Sequence, residues 1–482
     1  VPNTYPLRRG ASALPLWLLA SSALLPAAST LAADAGSPDP TVQALTQRVQ
    51  ELERKLEQLT AGTTPGAQVA APAQTQALVL TQASAPQAVN VSAGENGFGI
   101  HTADGSYGVQ IGSTTQFDLR SFLGDAPTGT GSDTFLFRKA RLSFDFSLGN
   151  YVDLRLMPDF ASNTTTLVDA YIDLKPTSWL TLRAGKQKGP IGLERLQKDS
   201  ETVFIERTLP NELVPNRDIG LAALGKVANN TISYEIGIFN GTADGRDASA
   251  TDVDNHKEVE GRLFFEPFHN TPGYLQGLGF GVSGSHGDKD SNTVGENGAL
   301  PQYLSAGQNI FFQYRSTVYA AGTHDRASVN GYYYVGPFGL LAEYVESTQD
   351  LRVGTATATT ARGAMRNDAW QVTASYALTG ESESYHGIVR PKSGLNEGGY
   401  GAFEFALRAA SLSIDNAAFP LFADPTVSAR RATTYAGGVN WYATANTKIY
   451  LDYDLTNFLG GATAGHNREV EKALFGRIQV AF

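Results

Sequence analysis

Two groups of basic side chains are the residues of this chain best suited to chemistry. In Lys139-Ala140-Arg141-Leu142-Ser143-Phe144-Asp145-Phe146, Lys139 and Arg141 lie on the face opposite Leu142, Phe144 and Phe146. If the apolar face meets lipid, the two cations point inward. Arg183 shares a face with Thr181 and has the same expected direction. Residues 188–217 then gather Lys188, Arg195, Lys198, Arg207 and Arg217 against Glu194, Asp199, Glu201, Glu206 and Glu212, in a 482-residue chain of formal net charge −10. Ammonium and guanidinium groups in a narrow, low-dielectric passage concentrate anions, and Arg offers paired donors to phosphate oxygens. Several sites of moderate strength would hand an ion along, where one tight site would trap it. The chemistry on offer is anion coordination.

Catalysis finds little to work with. There is no Cys, and the seven His stand singly at 101, 256, 269, 286, 324, 386 and 466, without paired metal-ligand spacing. They are expected in loops or at strand ends. No GxSxG occurs, and Gly279-Phe280-Gly281-Val282-Ser283-Gly284 spells GxGxxG inside a segment that alternates like a strand, with no helix to receive a pyrophosphate. No catalytic residue, metal site or cofactor is expected. The acidic balance also argues against nucleic acid as a partner.

The elements that would position these residues are strands. Fifty Gly, 20 Tyr and 24 Phe describe a turn-rich β protein. A mean hydropathy of −0.19 excludes repeated helical membrane spans. Alternation runs through Val109–Arg120, Lys139–Phe146, Asp169–Leu174 and Ile449–Leu455, and sixteen to eighteen such segments can be counted. Tight turns are expected at 148–150, 176–178, 228–230 and 335–337, and long loops at 188–217, 241–256, 286–308, 350–366 and 380–398. Short and long connections in alternation are the layout of a transmembrane barrel, with turns on the periplasmic side and loops outside. A soluble sandwich would use shorter strands. Tyr332-Tyr333-Tyr334, Trp441-Tyr442 and Tyr450 are expected in interface girdles.

Before the barrel come three segments. Residues 1–33 carry Arg8 and Arg9, an apolar stretch from Ala13 to Leu25 and a small-residue exit, the pattern of a secretory signal. Between 41 and 60, Val42, Leu45, Val49, Leu52, Leu56 and Leu59 repeat with a 3.5-residue period, the seam of a coiled coil; a single amphipathic helix on the protein's own surface is the alternative. Residues 61–94 hold no Asp, Glu, Lys or Arg and are expected to form a flexible linker, leaving 95–482 for the barrel.

Phe137-Arg138-Lys139-Ala140-Arg141-Leu142-Ser143-Phe144 resembles the second-strand signature of the phosphate-selective porin O/P family. Asp169-Ala170-Tyr171, Ala184–Arg195, Phe204-Ile205-Glu206-Arg207, Ala377–Glu381 and Gly438–Tyr442 resemble its later blocks in order. The resemblance implies an all-β, 16-stranded antiparallel homotrimeric barrel in outer-membrane lipid, with one loop folded inward as a constriction. It implies constriction roles for Arg195 and Arg207, a central-site role for Asp169, and a wall position for Lys139 and Arg141; 188–217 is the expected inward loop. Two departures from the family pattern stand out: Gly112-Ser113-Thr114-Thr115 occupies the place of a first-strand arginine, and 286–308 holds only Lys289 as a basic residue. The expected function is a passive, anion-preferring channel for phosphate, pyrophosphate or polyphosphate. A general porin whose coiled coil contacts the cell wall is the alternative, and an outer-membrane enzyme is a distant third.

Overall fold

The computed structural model describes residues 88–124, 131–249, 252, 254–291, 300–355 and 358–482, with Gln50 and Arg54. The expected signal at 1–33, coiled coil at 41–60 and the 61–87 part of the linker otherwise lie outside the described residues. The linker's end is not loose chain: Val89–Gly94 (β1) forms a hairpin with Gly97–Thr102 (β2), which pairs with the next strand.

The barrel follows in chain order. Its first half is Tyr107–Phe122 (β3), Thr134–Leu148 (β4), Val152–Asp159 (β5), Thr166–Thr177 (β6), Leu180–Gln187 (β7), Asp218–Val227 (β8), Ile232–Phe239 (β9), Glu258–Phe265 (β10) and Gly277–Ser291 (β11). A small hairpin of Gln302–Leu304 (β12) and Ile310–Gln313 (β13) interrupts it. Then come Val318–Val335 (β14), Phe338–Gly354 (β15), Thr359–Ala377 (β16), Ala402–Ser413 (β17), Ala429–Tyr442 (β18), Thr447–Gly460 (β19) and Glu471–Ala481 (β20). Each strand from β3 to β11 and β14 to β20 pairs antiparallel with its neighbour, and β20 pairs with β3. Sixteen strands thus close on themselves, which removes every free edge within the wall.

Burial is inverted relative to a soluble protein. Leu221, Ile238 and Leu407 are more than half exposed (66%, 56% and 55%), while Asp118, Glu404 and Asp452 are at 0%. Period-two alternation puts the apolar residues on the outer face and the ionisable ones inside, so the outer face suits lipid and the interior suits water and ion pairs.

Several connections differ from expectation. Residues 350–366 are mostly the ends of β15 and β16, joined across 355–358, and 286–291 continue β11. The long connection 378–401 belongs to the end of the barrel that otherwise carries the tight turns at 149–151, 178–179, 228–231 and 336–337. It turns inward there, where Tyr385 Oη donates to Leu193 O and Gln197 Nε2 donates to Tyr385 O. The aromatic clusters also divide by parity. Tyr333 and Trp441 face outward at the rim, whereas Tyr332 stacks on Tyr385 at 5.1 Å and Tyr442 and Tyr450 are buried inside. His324 and His286 lie within strands β14 and β11, His324 buried against Asp244 at 3.2 Å.

At the loop end, one side of the interior is filled. Tyr303, Phe311 and Phe312 of the β12–β13 hairpin pack with Leu209 and Leu213 against Val318, Leu351, Met365 and Phe458 of the wall. The cavity at this end lies along the opposite wall, β3 to β8.

At the closing seam Arg477 donates through Nε and Nη2 to the two Asp118 oxygens at 2.6 and 2.8 Å, both side chains at or below 1% exposed. Asp118→Ala would strand that guanidinium, at a cost of roughly 3–5 kcal/mol. The expected result is a lowered temperature of heat-induced mobility shift on detergent gels, with the barrel otherwise assembled.

Candidate anion site

Residues 188–217 leave β7 at the loop end and cross the interior. Backbone placed there has lost both water and a sheet partner, so each peptide group needs another donor or acceptor. The wall supplies them. Gln116 Nε2 donates to Asp199 O, Gln479 Nε2 to Ser200 O, Lys448 Nζ to Thr202 O, and Asn440 Nδ2 to Val203 O. Arg477 Nη1 donates to Ile205 O and Arg408 Nη1 to Glu206 O, while Asp452 and Glu343 accept from the Ile205 and Leu193 amides. Glu194, in the helical turn Leu193–Leu196, pairs with Arg408 at 2.5 Å. The polar residues of β3, β15 and β17 to β20 therefore hold the loop.

At the far side of this crossing the cations converge. Lys139 Nζ lies 2.8 Å from Asp199 Oδ1, Arg207 Nη1 bonds the same oxygen, and Arg141 Nη1 bonds Oδ2. Arg141 also donates to Asp159 at 2.7 Å. Beside this knot Glu206 accepts from Arg120 at 2.6 Å and Arg138 at 2.7 Å. Arg138 was not expected inside, because strict alternation sends it outward with Ala140. A bulge explains it: Gln116 pairs with Lys139 and Phe117 with Phe137, so Arg138 is an inserted residue and both cations face the lumen.

The other sequence candidates take different places. Arg195 donates to Asn211 O at 2.5 Å and Asn216 Oδ1 at 3.0 Å, and among the described residues no carboxylate lies within ion-pairing distance of it. Asp169 is bound to Arg217 Nε at 2.9 Å, which secures the returning end of the loop. Arg183 makes a two-point pair with Asp173 and stacks 3.9 Å over Tyr171 near the turn end, apart from the knot. Lys198 is exposed and 3.5 Å from Glu201. The structure thus brings Lys139, Arg141 and Arg207 together, leaves Arg195 nearby, and separates Arg183 and Asp169 from them. Arg120, Arg138, Arg408 and Arg477 were missed; their inward parity was legible, except at the bulge, but no sequence signal tells which strand faces the loop.

Two cavities flank the crossing. The one at the loop end, about 1260 Å³, is lined by Arg120, Arg138, Lys139, Arg195, Arg207 and Arg246 and by Asp199, Glu206, Glu212 and Asp247. The one at the turn end, about 620 Å³, is lined by Arg141, Arg155, Lys198 and Lys448 with Asp145, Glu201 and His386.

Electrostatics keep the loop charged. Burial favours the neutral acid of Asp199, but Lys139, Arg207 and Arg141 together hold it well below the usual carboxylate range. Glu206 is likewise opposed by burial and brought strongly down by Arg138, Arg120 and Arg477. Burial, then Arg207, pushes Arg195 down to about 10, so it remains a cation at neutral pH. For Glu206 the folded pKa is below the unfolded one. Its stabilisation is complete above the ordinary glutamate value and is lost as pH falls through the folded value. Glu206→Gln is therefore expected to unfold at a lower temperature than wild type at neutral pH, the gap narrowing as pH drops below about 4. Circular dichroism melts in detergent across that range measure it.

A family model described as phosphate-selective porin O and P matches residues 109–482, from β3 to the end of the barrel. No curated protein matches the chain. Among solved structures, the outer membrane channel DcaP of Acinetobacter baumannii is 11% identical, with 79% of this chain and 99% of that chain covered and a TM-score of 0.49. The anion-selective porin from Comamonas acidovorans is 12% identical, with 78% and 100% covered and a TM-score of 0.48. OmpT of Vibrio cholerae is 12% identical, with 78% and 98% covered and a TM-score of 0.47. The family match spans well over half of the sequence and every strand of the closed barrel, and the chain therefore belongs to the phosphate-selective porin O and P family, as an outer-membrane porin.

Proposed function

We propose that the protein is a passive, anion-preferring diffusion channel for phosphate, pyrophosphate or polyphosphate, working as a homotrimer. The observation that carries this reading is the charge balance of the loop-end cavity. In a chain of net charge −10, its lining holds more Lys and Arg than Asp and Glu. Fields focus in such a concavity, so anions are drawn in from the outside medium. Arg195 is the strongest of these attractors, because its guanidinium faces the cavity and, among the described residues, is bonded by amide oxygens without a carboxylate. Arg207, Lys139 and Arg141 then offer the next cations inward, and Lys198 lies beyond them in the turn-end cavity. Passage from Arg195 to the knot to Lys198 is a series of moderate sites.

Arg183 and Asp169 have supporting tasks in this scheme. The former stiffens the wall near the turn end, and the latter fixes Arg217 at the base of the loop.

Planar-bilayer recordings test the proposal. The reversal potential in a salt gradient is expected to show anion preference, and phosphate is expected to reduce chloride current. Arg195→Ala should raise the half-blocking phosphate concentration several-fold, whereas Arg217→Ala, which removes an already neutralised cation, should leave it close to wild type. Potassium preference in the wild type would overturn the reading, and equal effects of the two substitutions would put the constriction elsewhere.

A further inference from the structure

Asp199 stands at the meeting point of three interior cations. Its two oxygens are bonded, among the described residues, to Lys139, Arg141 and Arg207 alone. Arg183 meets Asp173 one to one, while the neighbouring Glu206 is bonded closely by two cations, Arg120 and Arg138, with Arg477 farther off at 3.8 Å. Here three cations from two segments of chain converge on one carboxylate, the coordination that a free oxyanion would receive.

Its position in the lumen agrees. Asp199 lines the loop-end cavity together with Lys139 and Arg207, while its neighbours Lys198 and Ser200, with Arg141, line the turn-end cavity. The carboxylate therefore sits on the partition between the two spaces. Its backbone is fixed separately, by Gln116 Nε2 on the Asp199 carbonyl and by the turn in which Glu201 N donates to Lys198 O at 3.0 Å. The side chain alone has to move for the cations to be released.

We infer that Asp199 is a tethered competitor, an internal carboxylate that occupies the channel's oxyanion site until a solute of the same chemistry displaces it. The inference rests on the anion-channel reading above. A side chain held by its own backbone has a high effective concentration and cannot leave. A solute gains the site only by matching its bonds, which favours small oxyanions, carboxylate or phosphate, with several acceptor oxygens. Chloride offers a single centre and cannot bridge the three cations as a carboxylate does. Asp199 thereby sets both which anions pass and how weakly they are held, since an occupied site lowers apparent affinity by the fraction of time it is free.

Block of single-channel chloride current by phosphate, and separately by acetate and succinate, tests the inference in wild type, Asp199→Asn and Asp199→Glu. Removing the competing charge is expected to lower the half-blocking concentration by about tenfold or more, and Asp199→Glu, which keeps the competitor, should remain near wild type. Phosphate alone gaining would assign the site to phosphate, and all three gaining would assign it to oxyanions generally; either supports the inference. Should Asp199→Asn fail to assemble, Asp199→Ser is read in the same way. An unchanged or raised half-blocking concentration in an anion-selective Asn or Ser channel overturns the inference and leaves the channel reading standing. A wild type that prefers cations removes the channel reading itself.

Discussion

Satisfying the backbone of residues 188–217 inside the barrel is the constraint on which the rest of this structure depends. An interior loop surrendered its water, and its carbonyls from Asp199 to Glu206 are met by Gln116, Gln479, Lys448, Asn440, Arg477 and Arg408. Those side chains rise from β3 and from β17 to β20, so five of the sixteen strands of the wall are committed to holding the loop. An unpaired peptide group in such a place costs as much as a lost buried hydrogen bond, which makes the commitment collective. Once the loop is held against that wall, its free edge and the cations opposite it have one geometry.

The consequence is an off-centre lumen. Apolar packing of the β12–β13 hairpin fills the loop end on the side of β14 to β19, and the inturned connection 378–401 closes on the loop from the other end through Tyr385. What stays open at the loop end runs beside β3 to β8, where Arg138 and Lys139 project, and Arg141 lines the cavity at the turn end. Charge is distributed in keeping with that division. On the filled side Arg408 pairs with Glu194 and Arg326 with both Asp244 and Glu258, whereas beside the open space Lys139 and Arg141 share Asp199, and Arg195 has no carboxylate partner among the described residues. Buried pairs add little net stability but are costly to break. They fix the loop.

Period-two alternation was enough to recognise a barrel, because lipid outside and water inside impose opposite preferences on successive residues. It also gave the inward direction of Lys139, Arg141 and Arg183. It misled in places where geometry departs from ideal pairing. The bulge at Arg138 adds a residue to one strand only, and no residue type announces it. Tyr332-Tyr333-Tyr334 looked like one girdle, yet parity divides it, with the outer two inside the barrel and the middle one at the rim. Polar residues at 350–366 looked like a loop because Thr, Arg and Asp are common in loops, but in a barrel the ends of tall strands beyond the lipid are polar as well.

By itself, then, the amino-acid sequence determined the class of fold, the outer-membrane setting and the supply of interior cations, since each follows from local pattern and composition. Which cations meet was decided only by tertiary structure. Lys139 and Arg207 are far apart along the chain, and they share a carboxylate because strand pairing, a bulge and the anchoring of a loop across the lumen bring them to it. Long-range closure of this kind depends on how sixteen strands add up around a ring, and no local run of residues carries that sum.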